Sequence, residues 1–372
     1  MTSASAEGAA SNATPASVGS EWRMFRGDDR NTGVTSERLP PPLRVRWRFS
    51  ASANDAIVST AAIANGVAYV GCESGAFLAL DLATGKPRWT SATKEEAAIA
   101  SSPCVADGRV YFGDEFGVLY WLDAKTGAAL GTFEAGGEII SSPHVDNGRL
   151  VFASYDGVVY AIDTSGGAER WRFQTEAQIH STVALMDDAV LAAGCDGALH
   201  VVGRSDGVEI RSIRYGAQTA SAVAVAGDRA YLGTLGNEVI CVDWRTGEII
   251  WQYRDADREF PFQSSAALWK DLVIIGGRDK AVHALRQASG DEAWRFRARG
   301  RVDSSPVVSA DIVYVGSDDG RLYALDAVSG RKRWDFEAGG AISASPAIGE
   351  GVLVIGTQDG VIYCLEPEQN SN

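Results

Sequence analysis

No stretch of this chain approaches the roughly twenty consecutive apolar residues that a membrane-spanning helix needs. The first twenty residues, MTSASAEGAASNATPASVGS, hold no basic cluster and no apolar run, and the first basic residue is Arg23. They do not read as an export signal, so the sequence as it stands points to the cytoplasm, or to the periplasm and cell envelope if a longer natural start carries a signal. Cysteine is sparse: Cys72, Cys104, Cys195, Cys241 and Cys364 are widely spaced, with no CxxC and no adjacent pair. That excludes a disulfide framework and a zinc site by spacing, and it fits thiols acting as small core residues. Positive charge is also short, with 34 Lys and Arg against 48 Asp and Glu, a formal net charge of −14. Nucleic acid is excluded as a general partner, because its affinity rests on basic groups displacing counterions. No GxSxG elbow, P-loop, HExxH or EF-hand loop occurs, and His144, His180, His200 and His283 stand at no metal-ligand spacing. No metal is expected.

Glycine and tryptophan, in contrast, are plentiful, with 41 Gly and 10 Trp. They fall in a repeat. An Asp, two residues, Thr or Ser, Gly, three residues and Trp occur as Asp81…Thr84-Gly85…Trp89 and Asp326…Ser329-Gly330…Trp334, with close variants between. The glycine of this phrase recurs at 85, 127, 167, 207, 247, 290 and 330, a step of 40 to 43 residues. Each unit holds four short strand candidates, in the second unit Ile99–Val105, Gly108–Phe112, Gly117–Leu122 and Leu130–Phe133. Asn65-Gly66, Asp107-Gly108 and Asn147-Gly148 supply residues that accept positive φ in tight hairpins. Four strands per ~40 residues predict an all-β protein, a β-propeller of four-stranded antiparallel blades.

First strands start near Ile57, Ile99, Ile139, Ile179, Gln218, Phe262, Val302 and Ile342, which counts eight blades. The last blade lacks a fourth strand at its own end. Val45-Arg-Trp47-Arg-Phe49 resembles the fourth strands at Glu169–Phe173 and Glu292–Phe296, so the N-terminal strand is expected to complete that blade and close the ring. The division expected is a disordered tail over 1–20, a lead-in over 21–42, the propeller over 43–366 and a C-terminal tail over 367–372. Trp22 and Phe25 of the lead-in are expected to pack on the rim or to plug the channel. Arg26-Gly27-Asp28 spells an adhesion tripeptide, read here as chance. The Trp of each phrase is expected to wedge between blades, and Leu130 and Ile210, which replace it in two blades, to leave weaker interfaces.

The phrase, repeated around a ring, resembles the pyrroloquinoline-quinone (PQQ) repeat family, which takes in the quinoprotein dehydrogenases and the BamB-like assembly lipoproteins. The likeness covers residues 43–366 and implies the eight-bladed fold. Quinoprotein dehydrogenases carry an adjacent Cys pair, a calcium site and long insertions. None has a counterpart here, so the family's catalytic residues do not transfer. BamB-like relatives are bare propellers of about this size.

Fold alone does not give function, so the site is sought where the repeat varies. The inner strands align into a nearly uniform column of hydroxyls: Thr60, Ser102, Ser142, Thr182, Ser221, Ser265, Ser305 and Ser345. Their expected role is to satisfy crowded inner-strand backbone. Two residues earlier, on the same side of each strand, the column reads Val58, Ala100, Ile140, His180, Thr219, Gln263, Asp303 and Ser343. His180, Gln263 and Asp303 are the candidate channel ligands. Asp303, the acidic member, is the candidate general base if the channel does quinone chemistry.

A basic sector stands out on this acidic chain. Arg258, Phe260, Phe262, Arg278, Lys280, Arg297, Arg299 and Arg301 fall in neighbouring loops of the sixth and seventh units and form the candidate partner surface. The function expected is therefore a non-enzymatic, monomeric scaffold that binds protein partners and needs no cofactor. The alternatives are a PQQ-dependent oxidoreductase with calcium and a minimal pocket, and a BamB-like factor for outer-membrane protein assembly.

Overall fold

The recurring phrase folds into one kind of turn. In the first unit the Asp81 carboxylate accepts from the Thr84 amide at 3.0 Å and the Thr84 hydroxyl at 2.8 Å, while the Gly85 amide donates to the Asp81 carbonyl at 2.8 Å. Gly85 has φ +71°, a conformation that an L side chain resists. The turn joins the third strand of a blade to its fourth. At the same end, Asn65-Gly66 joins the first strand to the second with both φ values positive, as a tight right-twisted hairpin requires.

The computed structural model describes residues 20–52, 55–255 and 259–368. Eight antiparallel sheets of this kind follow one another. Blades one to seven occupy residues 62–92, 104–134, 144–174, 184–214, 224–254, 267–297 and 307–337. In blade one the strands are Ala62–Ala64, Val67–Gly71, Ala76–Asp81 and Pro87–Ala92, and the second is buried at every residue. Such strands bury both faces because blades pack against blades on either side. Among the described residues the one helical element is a 3₁₀ turn, Lys94–Glu96.

Blade eight combines Ala347–Gly349, Val352–Gly356 and Val361–Pro367 with Leu43–Ser50, which lies outermost. Val45 pairs with Leu365 and Phe49 with Ile362, antiparallel. The ring thus closes through the N-terminal strand, as its likeness to other fourth strands predicts.

The hydroxyl column links blade to blade around the channel. Each hydroxyl accepts from the backbone amide of the preceding blade: Thr60 to Ser102 at 3.0 Å, Ser102 to Ser142 at 3.1 Å, Ser142 to Thr182 at 3.0 Å, and on to Ser345 to Thr60 at 3.3 Å. Blade five departs from the expected register. There Ala222, not Ser221, holds the ring position, and its amide donates to Ser265. Ser221 instead bonds Gly233 of its own blade at 2.9 Å, as Ser59 bonds Gly71 and Ser101 bonds Gly113. Two hydroxyls one residue apart, Thr219 and Ser221, draw a sequence alignment one step too early. The segment leading into the first strand of blade five, Ala224–Ala226, therefore enters the ring at the buried Thr219, while Gln218 is exposed.

The lead-in crosses the channel at the end that carries the phrase turns. Its backbone accepts from an inner-strand amide of blade after blade: Ser20 from Glu350, Trp22 from Ile63, Arg23 from Val105, Asp29 from Leu185, Arg30 from Val225, Thr32 from Leu268 and Gly33 from Val308, all at 2.7–3.0 Å. Asp29 also reaches His144 of blade three at 3.4 Å. Val34–Thr35 then adds a short parallel strand to the inner edge of blade seven. Arg26 is fully buried and donates to the Ala266 and Pro306 carbonyls at 3.0 and 2.7 Å. Burial lowers its guanidinium pKa to about 9, against the opposing pull of Asp28, so it stays charged at neutral pH. Asn31, equally buried, donates to the Val183 and Val223 carbonyls at 2.8 and 3.0 Å. Of the two expectations for the lead-in, the plug describes what is seen.

Candidate functional site: the channel mouth

With one end closed, the channel is a blind cavity of about 300 Å³ floored by Phe25. Its wall carries Val58, Ala100 and Ile140 from blades one to three, then His180, Ala220, Gln263, Asp303 and Ser343 from blades four to eight. Ala220 takes the place expected for Thr219, by the same one-residue register difference in blade five. The first three blades make one wall hydrophobic, and Ala220 interrupts the polar remainder between His180 and Gln263.

All three candidate channel residues face this cavity, each in a different setting. Asp303 is held by Arg278 through two parallel bonds of 3.0 Å, a bidentate pair that fixes both side chains. The bond raises the Arg278 pKa. Asp318, close by, is raised by burial and by the Asp303 charge. His180 is lowered by burial, so its imidazole is neutral at pH 7. Tyr155 meets its ring edge-on at 6.3 Å. The Gln263 carbonyl oxygen is buried without a hydrogen-bond partner, a cost the fold carries at the cavity wall.

Arg278 also belongs to a second hollow just outside the mouth. This pocket of about 360 Å³ is lined by Phe260, Arg278, Asp279, Lys280, Gly300, Arg301 and Asp318. Four candidate partner residues therefore meet in one place: Phe260, Arg278, Lys280 and Arg301. Phe260 is 46% exposed, a large apolar ring offered to solvent. Arg301 pairs with Asp318 at 2.9 Å. Lys280, Arg297 and Arg299 are exposed and make no ion pair among the described residues. Arg258 lies outside the described residues.

Phe262 does not belong to the surface. It is 2% exposed and packs edge-on against His283 at 5.2 Å. Its place is that of Ile57, Ile99 and Ile139, which precede their inner strands with exposures of 0–1%. An aromatic residue in the segment leading into the strand Ala267–Trp269 fills the gap between blades five and six, and its proximity to Phe260 in sequence misleads.

Beneath the pocket lies a cluster that the spacing of histidines does not reveal. His283 Nε2 meets Asp279 at 3.2 Å and Nδ1 meets Glu292 at 3.2 Å. Tyr253 donates to Glu292 at 2.7 Å, and Arg295 reaches both Glu292 and Asp255 at 2.8 Å. Asp255, Asp279 and His283, all buried, bring ligand atoms within 4.8 Å of one another. The Arg295 guanidinium supplies a cation to this group. Burial lowers the His283 pKa, yet the bonds to Asp279 and Glu292 outweigh it and the net shift is upward. Glu292 is lowered to about 2, chiefly by its bond with His283. The sequence signal is an Asp four residues before a Tyr or His. Asp156 accepts from Tyr160, Asp319 from Tyr323, and His200 and His283 stand where other blades have Tyr.

The fold and this site define a class: an eight-bladed propeller with a blind channel and a basic, partly apolar mouth. A family model described as outer membrane protein assembly factor BamB matches residues 43–130, 94–207, 156–279 and 236–371. The chain belongs to that PQQ-repeat, BamB-like family. Among solved structures it is similar to BamB from Moraxella catarrhalis, with TM-score 0.73 and 19% identity over 87% of this chain and all of that one. It is also similar to the quinohemoprotein alcohol dehydrogenase ADHIIG from Pseudomonas putida HK5, with TM-score 0.80 and 14% identity over 95% of this chain and 82% of that one. At these identities the likeness is one of fold. A 78-residue stretch is 36% identical to quinohemoprotein alcohol dehydrogenase ADH IIB of Pseudomonas putida, covering 19% of this chain and 11% of that enzyme. Among the described residues no helix is long and apolar enough to cross a membrane.

Proposed function

We propose that this propeller is a non-enzymatic docking platform, and that a protein partner engages the channel-mouth face over Phe260, Lys280 and the neighbouring arginines. The observation that carries this reading is the pocket itself. The exposed Phe260 ring stands beside Lys280, which makes no ion pair among the described residues, and beside Arg278 and Arg301, each held by a carboxylate, on a chain of net charge −14. A partner segment with acidic residues flanking an apolar one is the complement such a surface selects. The BamB-like family description supports a partner connected with outer-membrane protein assembly, and with it a place in the cell envelope.

The donor set at the channel weighs against the oxidoreductase reading. Calcium takes six to eight oxygen ligands, carboxylates among them. The cavity wall offers one carboxylate, Asp303, already held on both oxygens by Arg278. These residues do not suit a calcium-bound quinone, and no reaction step is derived through one.

The reading is tested by site-specific photo-crosslinking in the source cell, with the probe at position 280 or 299 and a control probe on a phrase turn at position 84. One protein crosslinked from 280 and 299 but not from 84, and lost in the triple variant Phe260→Ala/Lys280→Glu/Arg299→Glu at unchanged Tm, is the expected result. Equal capture from all three positions would defeat the assignment. A rise in Tm with PQQ and calcium that disappears in Asp303→Ala would favour the enzyme instead.

A further inference from the structure

Each of the seven phrase glycines lies against a side chain of the blade before it, and in five of them that side chain is the fourth-strand Trp. A Cβ added to Gly85 would come within 2.6 Å of the Trp47 ring; Gly127 meets Trp89 at 2.6 Å, Gly207 meets Trp171 at 2.8 Å, Gly290 meets Trp251 at 2.8 Å and Gly330 meets Trp294 at 2.5 Å. Gly167 lies on Trp121 and Gly247 on Arg211. In each case the turn of one blade sits on a side chain of the blade before it. Five of the indoles also donate their N–H to a turn carbonyl: Trp47 to Leu82, Trp89 to Ala124, Trp171 to Arg204, Trp251 to Gln287 and Trp294 to Ala327, at 2.8–3.0 Å.

Trp334 of blade seven faces the one blade that has no such turn. The third and fourth strands of blade eight, Val361–Pro367 and Leu43–Ser50, come from opposite ends of the chain, so no hairpin joins them. Among the described residues the Trp334 indole N–H has no hydrogen-bond partner and no glycine covers its ring. Beside it lies a cavity of about 720 Å³, lined among others by Leu39, Pro41, Pro42, Ile312, Arg38 and Trp334. The cavity opens on the face of the phrase turns, away from the channel mouth, since Ala327 and Asp311 of the two turn types bond each other there at 2.8 Å. Arg38 is exposed on its rim and makes no ion pair among the described residues.

We infer that this empty seat docks a protein partner in trans through the same element the chain uses in cis: a tight turn with an acidic residue followed by x-x-Ser/Thr-Gly. The glycine lies on the Trp334 ring, because any side chain there would collide as it would at Gly330. A turn carbonyl accepts the indole N–H, and the acidic residue pairs with Arg38. The five internal Trp seats specify the glycine and the carbonyl, three of them under an Asp-x-x-Thr/Ser-Gly turn at Asp81, Asp123 and Asp326. Arg38, the rim cation without an ion pair among the described residues, beside Asp311 and the Asp326-held Arg333, specifies the charge. This surface is independent of the channel-mouth reading, and either can fail without the other.

The test uses the full chain and a cyclised synthetic peptide copying residues 79–89. The indole N–H resonances are followed by NMR, and the Trp334 signal is assigned by its loss in Trp334→Phe. Saturable movement of that one signal is expected. A peptide with Val in place of the residue copied from Gly85 should leave it still, and Arg38→Glu should weaken binding about two- to fivefold, as for an exposed ion pair. No movement at millimolar peptide, or equal movement with the Val peptide, would overturn the proposal. So would binding that appears only after residues 369–372 are removed, because the chain's own end would then be the occupant.

Discussion

At the scale of single residues, this ring is held by a contact between a Trp ring and a glycine that is repeated at six of the eight joints. Trp294 is 8% exposed, donates to Ala327 at 3.0 Å and lies flat against Gly330. Its truncation, Trp294→Ala, removes a large buried aromatic from a joint that cannot collapse without moving two blades. The expected cost is ~3–5 kcal/mol. Gly330→Ala attacks the same joint from the other side: its φ of +68° and the 2.5 Å approach to the ring both resist a Cβ, for a cost of about 1–3 kcal/mol. Denaturant unfolding of both single variants and of the pair checks this, and the pair should cost less than the sum because the two groups touch. The sequence shows a Gly and a Trp four residues apart within one phrase. The actual partner of each Gly, however, is a residue of the preceding blade, some forty residues upstream, a pairing that spacing within the phrase cannot show. The same blindness explains blade two. Gly131 and Arg211, not the exposed Leu130 and Ile210, stand at the Trp position of blades two and four, and Trp121 of the adjacent strand covers both Gly131 and Gly167, so the expected weak joint of blade two is filled by a ring from elsewhere.

At the scale of the element, the hairpin between the second and third strands of blade six carries the buried His283 group. Asp279 at the turn, His283 on the third strand and Glu292 at the start of the fourth form one chain of contacts across the turn and two strands. The imidazole between two carboxylates favours its protonated form, with the Arg295 charge opposing. A raised folded pKa means that the stabilisation is complete below the ordinary histidine value of 6.5 and is lost as pH rises through the folded value. Glu292 has the opposite sign: lowered from 4.5 to about 2, its contribution is complete above 4.5 and is lost as pH falls toward 2. The group is therefore most stabilising between about 4.5 and 6.5. In His283→Gln the fall in Tm between pH 6 and pH 9 should be smaller than in the unaltered chain. Equal slopes would mean that another group governs that limb. This cluster was open to reading, because Asp-x-x-x-Tyr and Asp-x-x-x-His occupy the same place in successive repeats. Measured against metal-ligand spacings the histidines look scattered; measured against the tyrosine column they are replacements.

At the scale of the whole molecule, the eight sheets are joined by two devices with different visibility. The closing strand could be read in advance because Trp47 and Phe49 repeat the side-chain pattern of the fourth strands of blades three, six and seven, Trp171/Phe173, Trp294/Phe296 and Trp334/Phe336. The lead-in could not, because what it contributes is backbone carbonyls, which any residue supplies, laid in a path that touches all eight blades. Its two buried polar side chains, Arg26 and Asn31, each bridge carbonyls of two neighbouring blades, so the segment fastens the inner edge of the ring at the end where the phrase turns lie. This arrangement predicts a pattern in amide hydrogen exchange. In a variant lacking residues 1–33, the amides of Ile63, Val105, Leu185, Val225, Leu268, Val308 and Glu350 lose their acceptors and should exchange at least about fivefold faster, each having forfeited a bond of ~1 kcal/mol or more. Amides inside the sheets, such as Val70 and Ile240, keep their strand partners and should hardly change. Asn31→Ala in the full chain gives a milder version, because it bares the Val183 and Val223 carbonyls and loosens blades four and five first. Uniform acceleration across every blade would show instead that the ring opens as one unit. Unchanged protection at the seven amides would show that the sheets hold their inner edges without the lead-in, and that its place across the channel serves only to give the cavity a floor.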